Sequence, residues 1–345
     1  MESGEPRLGD LLAGRFRLAE RLGRGETGVV FRADDTLLGE TVALKLLPRA
    51  IGAESTAELF SEVALSRRIT HPNVCRVFDV GLLGEHYFIT MEFIQGENLA
   101  TLLQRRSLDL HQATRLAVQL CAALEAAHRA GVLHRDLKPE NVLVDRTGRI
   151  CITDFGLART IDDPSSEEPT VGTPAYMAPE QILGRTSRQS DLFSLGLLLF
   201  QLYTGRSPVR AGSLDELVDE LAAWSPPSRR DLPPELAPEV AAVVLSCLAL
   251  EPDERPLSAK IVLQALREFG APRPEKKPLR RRIAPAFGLA FLSLLGLTSR
   301  DETPASSASH ASDEIVFRIE PAGSATLREA CPLRTENESS SLLRS

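Results

Sequence analysis

Four side chains in two short stretches carry the parts of one reaction. In "HRDLKPEN", residues 134–141, a carboxylate (Asp136), an ammonium (Lys138) and a carboxamide (Asn141) fall within six positions. A second carboxylate, Asp154, follows in "DFG". Lysine is scarce: 45, 138, 260, 276 and 277 are its only positions in 345 residues, so one between Asp136 and Asn141 is a selective placement. Asp136 suits a group that accepts a proton from an attacking hydroxyl, and Lys138 one that neutralises a phosphoryl group in transfer. Asn141 and Asp154 offer hard oxygens of the kind that magnesium takes. Phosphoryl transfer depends on positioning and charge stabilisation more than on covalent chemistry, and these residue types supply both.

Two upstream features fit the same chemistry. "LGRGETGVVF" sets Gly23, Gly25 and Gly28 in G-x-G-x-x-G spacing, which both dinucleotide folds and phosphate-covering loops use. Val29, Val30 and Phe31 continue in strand-like residues instead of opening a helix. The stretch therefore reads as a strand–turn–strand flap whose backbone N–H groups approach phosphates, the plain alternative being a hairpin with turn glycines. Lys45 ends the apolar strand "VALK", and if it points inward its charge must be paired. Glu62 on the next expected helix would hold the ammonium against ATP phosphates, with Glu58 as the rival and solvated surface charges as the plain alternative for both.

These groups need elements to place them. Residues 1–14 are polar and read as loose. Strands are expected in "RFRLAERLG", "VVFRADD", "ETVALKLLP", around Cys75–Val80 and in "HYFITMEF". An amphipathic helix over "AESTAELFSEVALSRRI" interrupts them, with Leu59, Phe60 and Val63 at helical spacing. From about residue 96 the pattern turns helical, with a long helix over "SLDLHQATRLAVQLCAALEAAHRAG" that Gly131 suits as a C-terminal stop. "SDLFSLGLLLFQLYTG", "LDELVDELAAW" and "PELAPEVAAVVLSCLAL" follow, and the series ends near Gly270. A β portion (16–95) ahead of an α portion (96–270) is an α+β arrangement, with a ligand cleft between the two as the default site.

Bulk composition narrows the classes. A net charge of -7 gives no support to nucleic-acid binding, and 43% hydrophobic with 25% charged residues is ordinary for a globular protein. Five cysteines without a C-x-x-C pair read as buried, reduced thiols, not as a disulfide framework or zinc site. The first ten residues lack the basic-then-apolar pattern of a cleaved signal peptide.

Taken together, "GRGETG", "VALK", "HRDLKPEN" and "DFG" resemble the signature of the eukaryotic-type (Hanks-type) serine/threonine protein kinases, and of their bacterial receptor-like branch in particular. The resemblance spans roughly residues 16–269. It implies a two-lobed kinase fold, a β-rich N-lobe and an α-helical C-lobe, with ATP and Mg2+ between them and Ser/Thr hydroxyls of proteins as acceptors. It implies that Leu22, Val30, Ala43, Met91 and Leu143 line an adenine pocket, Met91 as gatekeeper, and that backbone groups of Glu92 and Ile94 bond the adenine edge. "GTPAYMAPE", 172–180, resembles the family's substrate-docking segment, in which Glu180 would pair with Arg255 of "EPDERP"; Asp191 would brace the catalytic loop. Lys138 and Thr173 together match the Ser/Thr branch. Arg135 and Arg159 suggest a basic pocket for a phosphorylated activation loop, with Thr170 the first candidate and Ser165 and Ser166 behind it. Pro169 stands four before Thr173, where some relatives carry the phosphosite, and Glu167 and Glu168 are already acidic, so the loop is expected to be partly self-ordering.

The C-terminal part reads differently. A flexible 1–14 and a kinase domain over 15–270 are followed by a basic linker, 271–282, and by 283–299, seventeen residues without a charge. Seventeen is the lower limit for a bilayer span, and Lys276, Lys277, Arg280, Arg281 and Arg282 would hold the preceding side in the cytoplasm. The alternative is a soluble cytoplasmic chain whose apolar tail packs on the kinase or lies on a membrane surface. Residues 300–345 are polar and expected to be disordered. The function expected is an autophosphorylating serine/threonine protein kinase in signal transduction, self-associating for trans-phosphorylation. A non-catalytic kinase-like scaffold and a small-molecule phosphotransferase are the rivals.

Overall fold

The computed structural model describes residues 6–25, 28–48, 59–60, 63–84, 86–155 and 174–269, all within one compact unit, Met1–Pro278. An antiparallel six-stranded sheet comes first, in spatial order β1-β2-β3-β4-β6-β5. Its strands are β1 (Leu11–Leu12), β2 (Phe16–Gly25), β3 (Gly28–Asp35), β4 (Glu40–Pro48), β5 (Val77–Leu83) and β6 (His86–Glu92). Side chains alternate across a strand, and in this sheet the alternation separates core from site. Val29, Phe31 and Ala33 of β3 join Val42, Leu44 and Leu46 of β4 in one buried cluster. Their sequence neighbours Val30 and Ala43 pack in a second cluster with Met91, Ile94, Cys75 and Leu143. Lys45 shares that second face by register, because it is paired across the sheet with Val30.

A small helix α1 (residues 59–60 and 63–66 described) buries Leu59 and Val63 against the second cluster. After β7 (Gly96–Asn98), α2 (Leu99–Arg105) leads into α3 (Leu110–Arg129). Asp109 caps α3 by accepting the Gln112 N–H at 2.7 Å, and Gln112 accepts the Asp109 N–H in return. Gly131, at φ 77°, ends the helix in the left-handed conformation that a side chain would oppose. β8 (Val142–Asp145) and β9 (Ile150–Ile152) pair with each other and β8 with β7, forming a second sheet that carries the residues on either side of the site. The short helix α4 (Pro179–Ile182) precedes α5 (Arg188–Thr204), which is buried on nearly every side. Such a helix is the axis of its domain: α3, α7 (Pro238–Cys247) and α8 (Ala259–Phe269) belong to the same core cluster, and α6 (Leu214–Ala222) adds Leu217 and Leu221 to it.

Two sequence expectations are corrected here, the loose N-terminus and the count of strands. Residues 7–14 are not loose: Leu12 is buried, Leu11–Leu12 pair with β2, and the Gly9 and Leu18 N–H groups bond Leu18 and Asp10 carbonyls. Strands β7, β8 and β9 are additions to the expected elements, since runs of three or four residues show too little alternation to be recognised. Four cysteines, 75, 121, 151 and 247, are buried free thiols. Among the described residues no helix is long and apolar enough to cross a membrane, and the linker, the uncharged run 283–299 and the tail lie outside them.

Gly196 sets how closely α5 meets α7. A Cβ there would lie 2.6 Å from Cys247 Cβ and 3.0 Å from Leu248 Cδ2. Gly196→Ala should lower the stability read by urea unfolding, because about 1–3 kcal/mol of overpacking exceeds the roughly 1 kcal/mol that alanine gains in a helix. A more stable variant would show that the interface yields freely.

Candidate active site

Three segments meet at the site: the end of β4, the stretch after β9 and the loop running from His134 to the short helical turn Pro139–Asn141, the last two joined by the Thr153 N–H on Asn141 O at 2.9 Å. The Lys45 ammonium, 5% exposed, lies 3.0 Å from Asp154 Oδ1. A buried ammonium requires such a partner. The sequence points Lys45 to Glu62 and Asp154 to a metal, so this pair is a finding of the structure; Glu62 and Glu58 lie outside the described residues. Across the cleft, Lys138 Nζ stands 3.0 Å from Asp136 Oδ2. Asn141 donates its amide N–H groups to the Asp136 backbone carbonyl at 2.8 Å and to Oδ2 at 3.0 Å. That commits the nitrogen to Asp136 and leaves the carboxamide oxygen as the atom for a cation. Lys45, Asp136, Lys138, Asn141 and Asp154 are therefore brought together.

The loop owes its shape to Asp191, 1% exposed at the start of α5. Its carboxylate accepts the His134 N–H at 2.9 Å, the Arg135 N–H at 2.8 Å and a bond from His128 Nε2 at 2.7 Å. Arg135 sits at φ 70° and Asp154 at φ 60°, left-handed conformations that cost a side-chain-bearing residue about 1–2 kcal/mol each. On Arg135, Gln181 Nε2 grips the carbonyl from the other side at 2.8 Å. His134 accepts the Asp136 N–H on Nδ1, at 3.3 Å, so Nε2 carries the proton and donates to Thr153 O at 3.0 Å. Burial pushes this imidazole below its ordinary pKa against the pull of nearby carboxylates, which keeps it neutral. His134 thus ties the Asp136 loop to the strand end that carries Asp154, and its ring packs 4.6 Å from the Phe155 ring. From α1, Ser66 Oγ donates to Phe155 O at 3.1 Å.

The expected brace of the docking segment is present. All five N–H donors of the buried Arg255 find acceptors: both Glu180 carboxylate oxygens, at 2.7 and 2.9 Å, and the carbonyls of Gln189, Ala249 and Leu250, each at 2.8 Å. Burial pushes the Glu180 carboxyl up, but the bonds from Arg255 and Ser190 outweigh it and hold the group below its ordinary value.

Of the residues expected around adenine, Val30, Ala43, Met91, Ile94 and Leu143 share one apolar cluster, while Leu22 is 43% exposed and stands outside it. The Glu92 N–H is bonded to Arg76 O at 2.9 Å, so only its carbonyl, 3.6 Å from Cys75 Sγ, can serve as an acceptor there. The three glycines divide. Gly23 and Gly25 face open space, whereas a Cβ on Gly28 would fall 2.0 Å from the Leu46 carbonyl oxygen, at φ 151°. The first two are free for close approach by a ligand; the third is required by packing of β3 on β4. Arg135 is placed at the site, but Arg159, Ser165, Ser166, Thr170 and Thr173 lie outside the described residues. Sequence reasoning misses His128, Gln181 and Ser66, which are ordinary polar residues whose partners are 63, 46 and 89 positions away.

Comparisons with known proteins agree with this geometry. Residues 16–266 match the family profile described as protein kinase domain. The chain is 37% identical over 273 residues to the serine/threonine-protein kinase PkaA of Streptomyces coelicolor, covering 73% of this chain and 49% of that one. It is 35% identical over 297 residues to the serine/threonine-protein kinase PknA of Mycobacterium tuberculosis, covering 81% of this chain and 68% of that one. It thus spans about half the length of the first of these relatives. A crystal structure of the Mycobacterium tuberculosis PknI kinase domain superposes with a TM-score of 0.62 at 25% identity, over 77% of this chain and 100% of that domain.

The glycine contrast is testable. Gly28→Ala should lower the thermal midpoint by roughly 4–8 °C, the equivalent of about 2 kcal/mol of backbone clash. Gly25→Ala should leave the midpoint in place and weaken nucleotide binding. Equal effects on the midpoint would show that the flap's glycines share one role.

Proposed function

This chain belongs to the protein kinase family, whose members use ATP and a divalent metal, and from that premise we propose that it transfers the γ-phosphate of ATP to Ser and Thr hydroxyls of proteins, its own included. The observation that carries the reading is one set of four charged groups and a carboxamide: Lys45 with Asp154 from one side, Lys138 and Asn141 around Asp136 from the other. A scaffold that only binds would not need all five.

Each group has a role in this proposal. Asp136, 37% exposed at its side chain, takes the proton of the acceptor hydroxyl as the oxygen attacks the γ-phosphorus. Lys138, already beside that carboxylate, balances charge on the phosphoryl group as it passes from ADP to the acceptor. The Lys45 ammonium holds the remaining phosphates. Adenine lies against Val30, Ala43, Met91, Ile94 and Leu143, and bonds backbone groups of Glu92 and Ile94, while Gly23 and Gly25 let the flap's N–H groups close over the phosphates. The donor set fits a hard divalent cation: a carboxylate, Asp154, and an amide oxygen whose nitrogen is occupied elsewhere, Asn141. Magnesium, when bound there, neutralises phosphate charge and orients the chain of phosphates. Arg135 and Arg159 receive a phosphate on Thr170, with Thr173 in the docking segment, and two copies phosphorylate each other.

The test uses the full chain, dephosphorylated, with labelled ATP and magnesium beside Asp136→Asn. Label on Ser or Thr in the wild type alone is expected, with loss of at least about 100-fold in the variant. ATP bound without transfer would turn the reading to a scaffold, and label on a metabolite alone to a small-molecule phosphotransferase. Equal rates in wild type and Thr170→Ala would remove the loop switch.

We further propose that 283–299 anchors the chain in a membrane with the kinase domain on the cytoplasmic side. The support is the uncharged run and the basic residues before it. The full chain should pellet with membranes after alkaline carbonate extraction, and a chain ending before 283 should not; release of both would leave a soluble kinase.

A further inference from the structure

One guanidinium outside the catalytic set joins three separate segments behind the nucleotide cleft. Arg149, immediately before β9, donates from Nη2 to Glu92 Oε1 at 3.1 Å, from Nη1 to the Pro72 carbonyl at 3.0 Å and from Nε to Asp145 Oδ2 at 3.1 Å. Glu92 ends β6 of the N-terminal sheet, Pro72 precedes the segment that enters β5, and Asp145 belongs to the C-terminal hairpin. One planar group thus fastens both N-terminal segments to the β8–β9 turn.

The turn itself is rigid. Asp145 Oδ1 accepts the Thr147 N–H at 2.8 Å, the Thr147 hydroxyl at 2.7 Å and the Arg149 N–H at 3.0 Å. Burial pushes its carboxyl up, but the bonds from Thr147 and Arg149 prevail and hold it at about 2. Gln119 of α3 donates to Gly148 O at 3.0 Å and accepts from the Ile150 N–H at 3.0 Å and from Asn73 Nδ2 at 2.8 Å. Asn73 also donates to Ile150 O at 2.8 Å. The anchor for Arg149 is therefore fixed to the helical lobe, and what it holds is the linker side of the sheet.

We propose that Arg149 is a positioning residue for nucleotide binding: by holding the Glu92 side chain it fixes the Glu92 backbone, whose carbonyl the kinase reading sets at the adenine edge. The proposal rests on the kinase reading, and it requires no contact between Arg149 and the reacting phosphate. Glu92 is held at three points, its N–H by Arg76 O, its carbonyl by the Cys75 thiol at 3.6 Å and its side chain by Arg149, so the residue has little room to turn. Without Arg149 the Glu92 carboxylate would turn to solvent, and ordering the peptide would fall to the nucleotide. Such a loss raises the dissociation constant and the KM for ATP without slowing the chemical step.

Arg149 is a third exposed, which limits the effect. In the full chain, Arg149→Met should weaken binding of a fluorescent adenine nucleotide, displaced by ATP in magnesium, by roughly three- to ten-fold. Its kcat should stay within about two-fold of the wild type. Glu92→Met, which keeps the side chain's length and removes the acceptor, should give a similar loss, and the double variant little more than either alone. Arg149→Lys should recover only part of the affinity, since an ammonium lacks the planar fork that reaches three acceptors. Unchanged affinity in Glu92→Met would overturn the proposal whether or not Arg149→Met folds, and additive losses in the double variant or a fall in kcat with affinity intact would overturn it as well. A wild type that binds no nucleotide would instead overturn the kinase reading, and this inference with it.

Discussion

A carboxylate that never meets the substrate organises this site. Asp191 is buried at the start of a helix that is itself buried, and an ion in such a place is tolerated only when its lone pairs are used. Its oxygens accept from the backbone of His134 and Arg135 and from the His128 ring. Those two N–H groups point inward because Arg135 adopts a left-handed backbone, and that turn is what presents Asp136 to the cleft. The cost of one strained residue and one buried charge is offset by bonds that each supports for the other.

The same economy extends outward from the loop. Gln181 holds the Arg135 carbonyl while its oxygen caps the short helix α4 at the Ala178 N–H. The next residue back, Glu180, is locked to Arg255, and through it to the carbonyls that follow α7. On the other side, His134 spans to Thr153 and so to Asp154 and Lys45. Acceptor side and nucleotide side are thus connected through one short loop, and every link is a hydrogen bond to backbone or a paired charge, both short-ranged and directional.

What could be read from the sequence follows from how far each feature reaches along the chain. Asp136, Lys138 and Asn141 are legible because their chemistry is packed into six positions. Strand β3 is legible because it alternates and helix α3 because its apolar residues recur at helical spacing, whereas β6 and α5 show as nearly unbroken apolar runs. The short strands β7, β8 and β9 repeat too few positions to show a period. Pairings such as Lys45 with Asp154, 109 positions apart, leave no local trace, so the need to pair the Lys45 charge can be inferred but not its described partner. Gly28 differs from its reading in kind: its spacing matches the two phosphate-facing glycines, and only the Leu46 carbonyl beside it separates packing from binding.

The scarcity of lysine has an outcome for how this molecule meets reagents. Arginine does most of the surface's cationic work, and a guanidinium is inert to acylating and aldehyde chemistry at neutral pH because it stays protonated. Among the described residues lysine amines occur at Lys45, Lys138 and Lys260 alone, and two of these three lie in the cleft. Among the described residues an amine-directed reagent therefore meets one exposed lysine, Lys260 on α8, and two ion-paired ones in the cleft, so loss of activity on modification would report on the cleft with Lys260 as the internal standard.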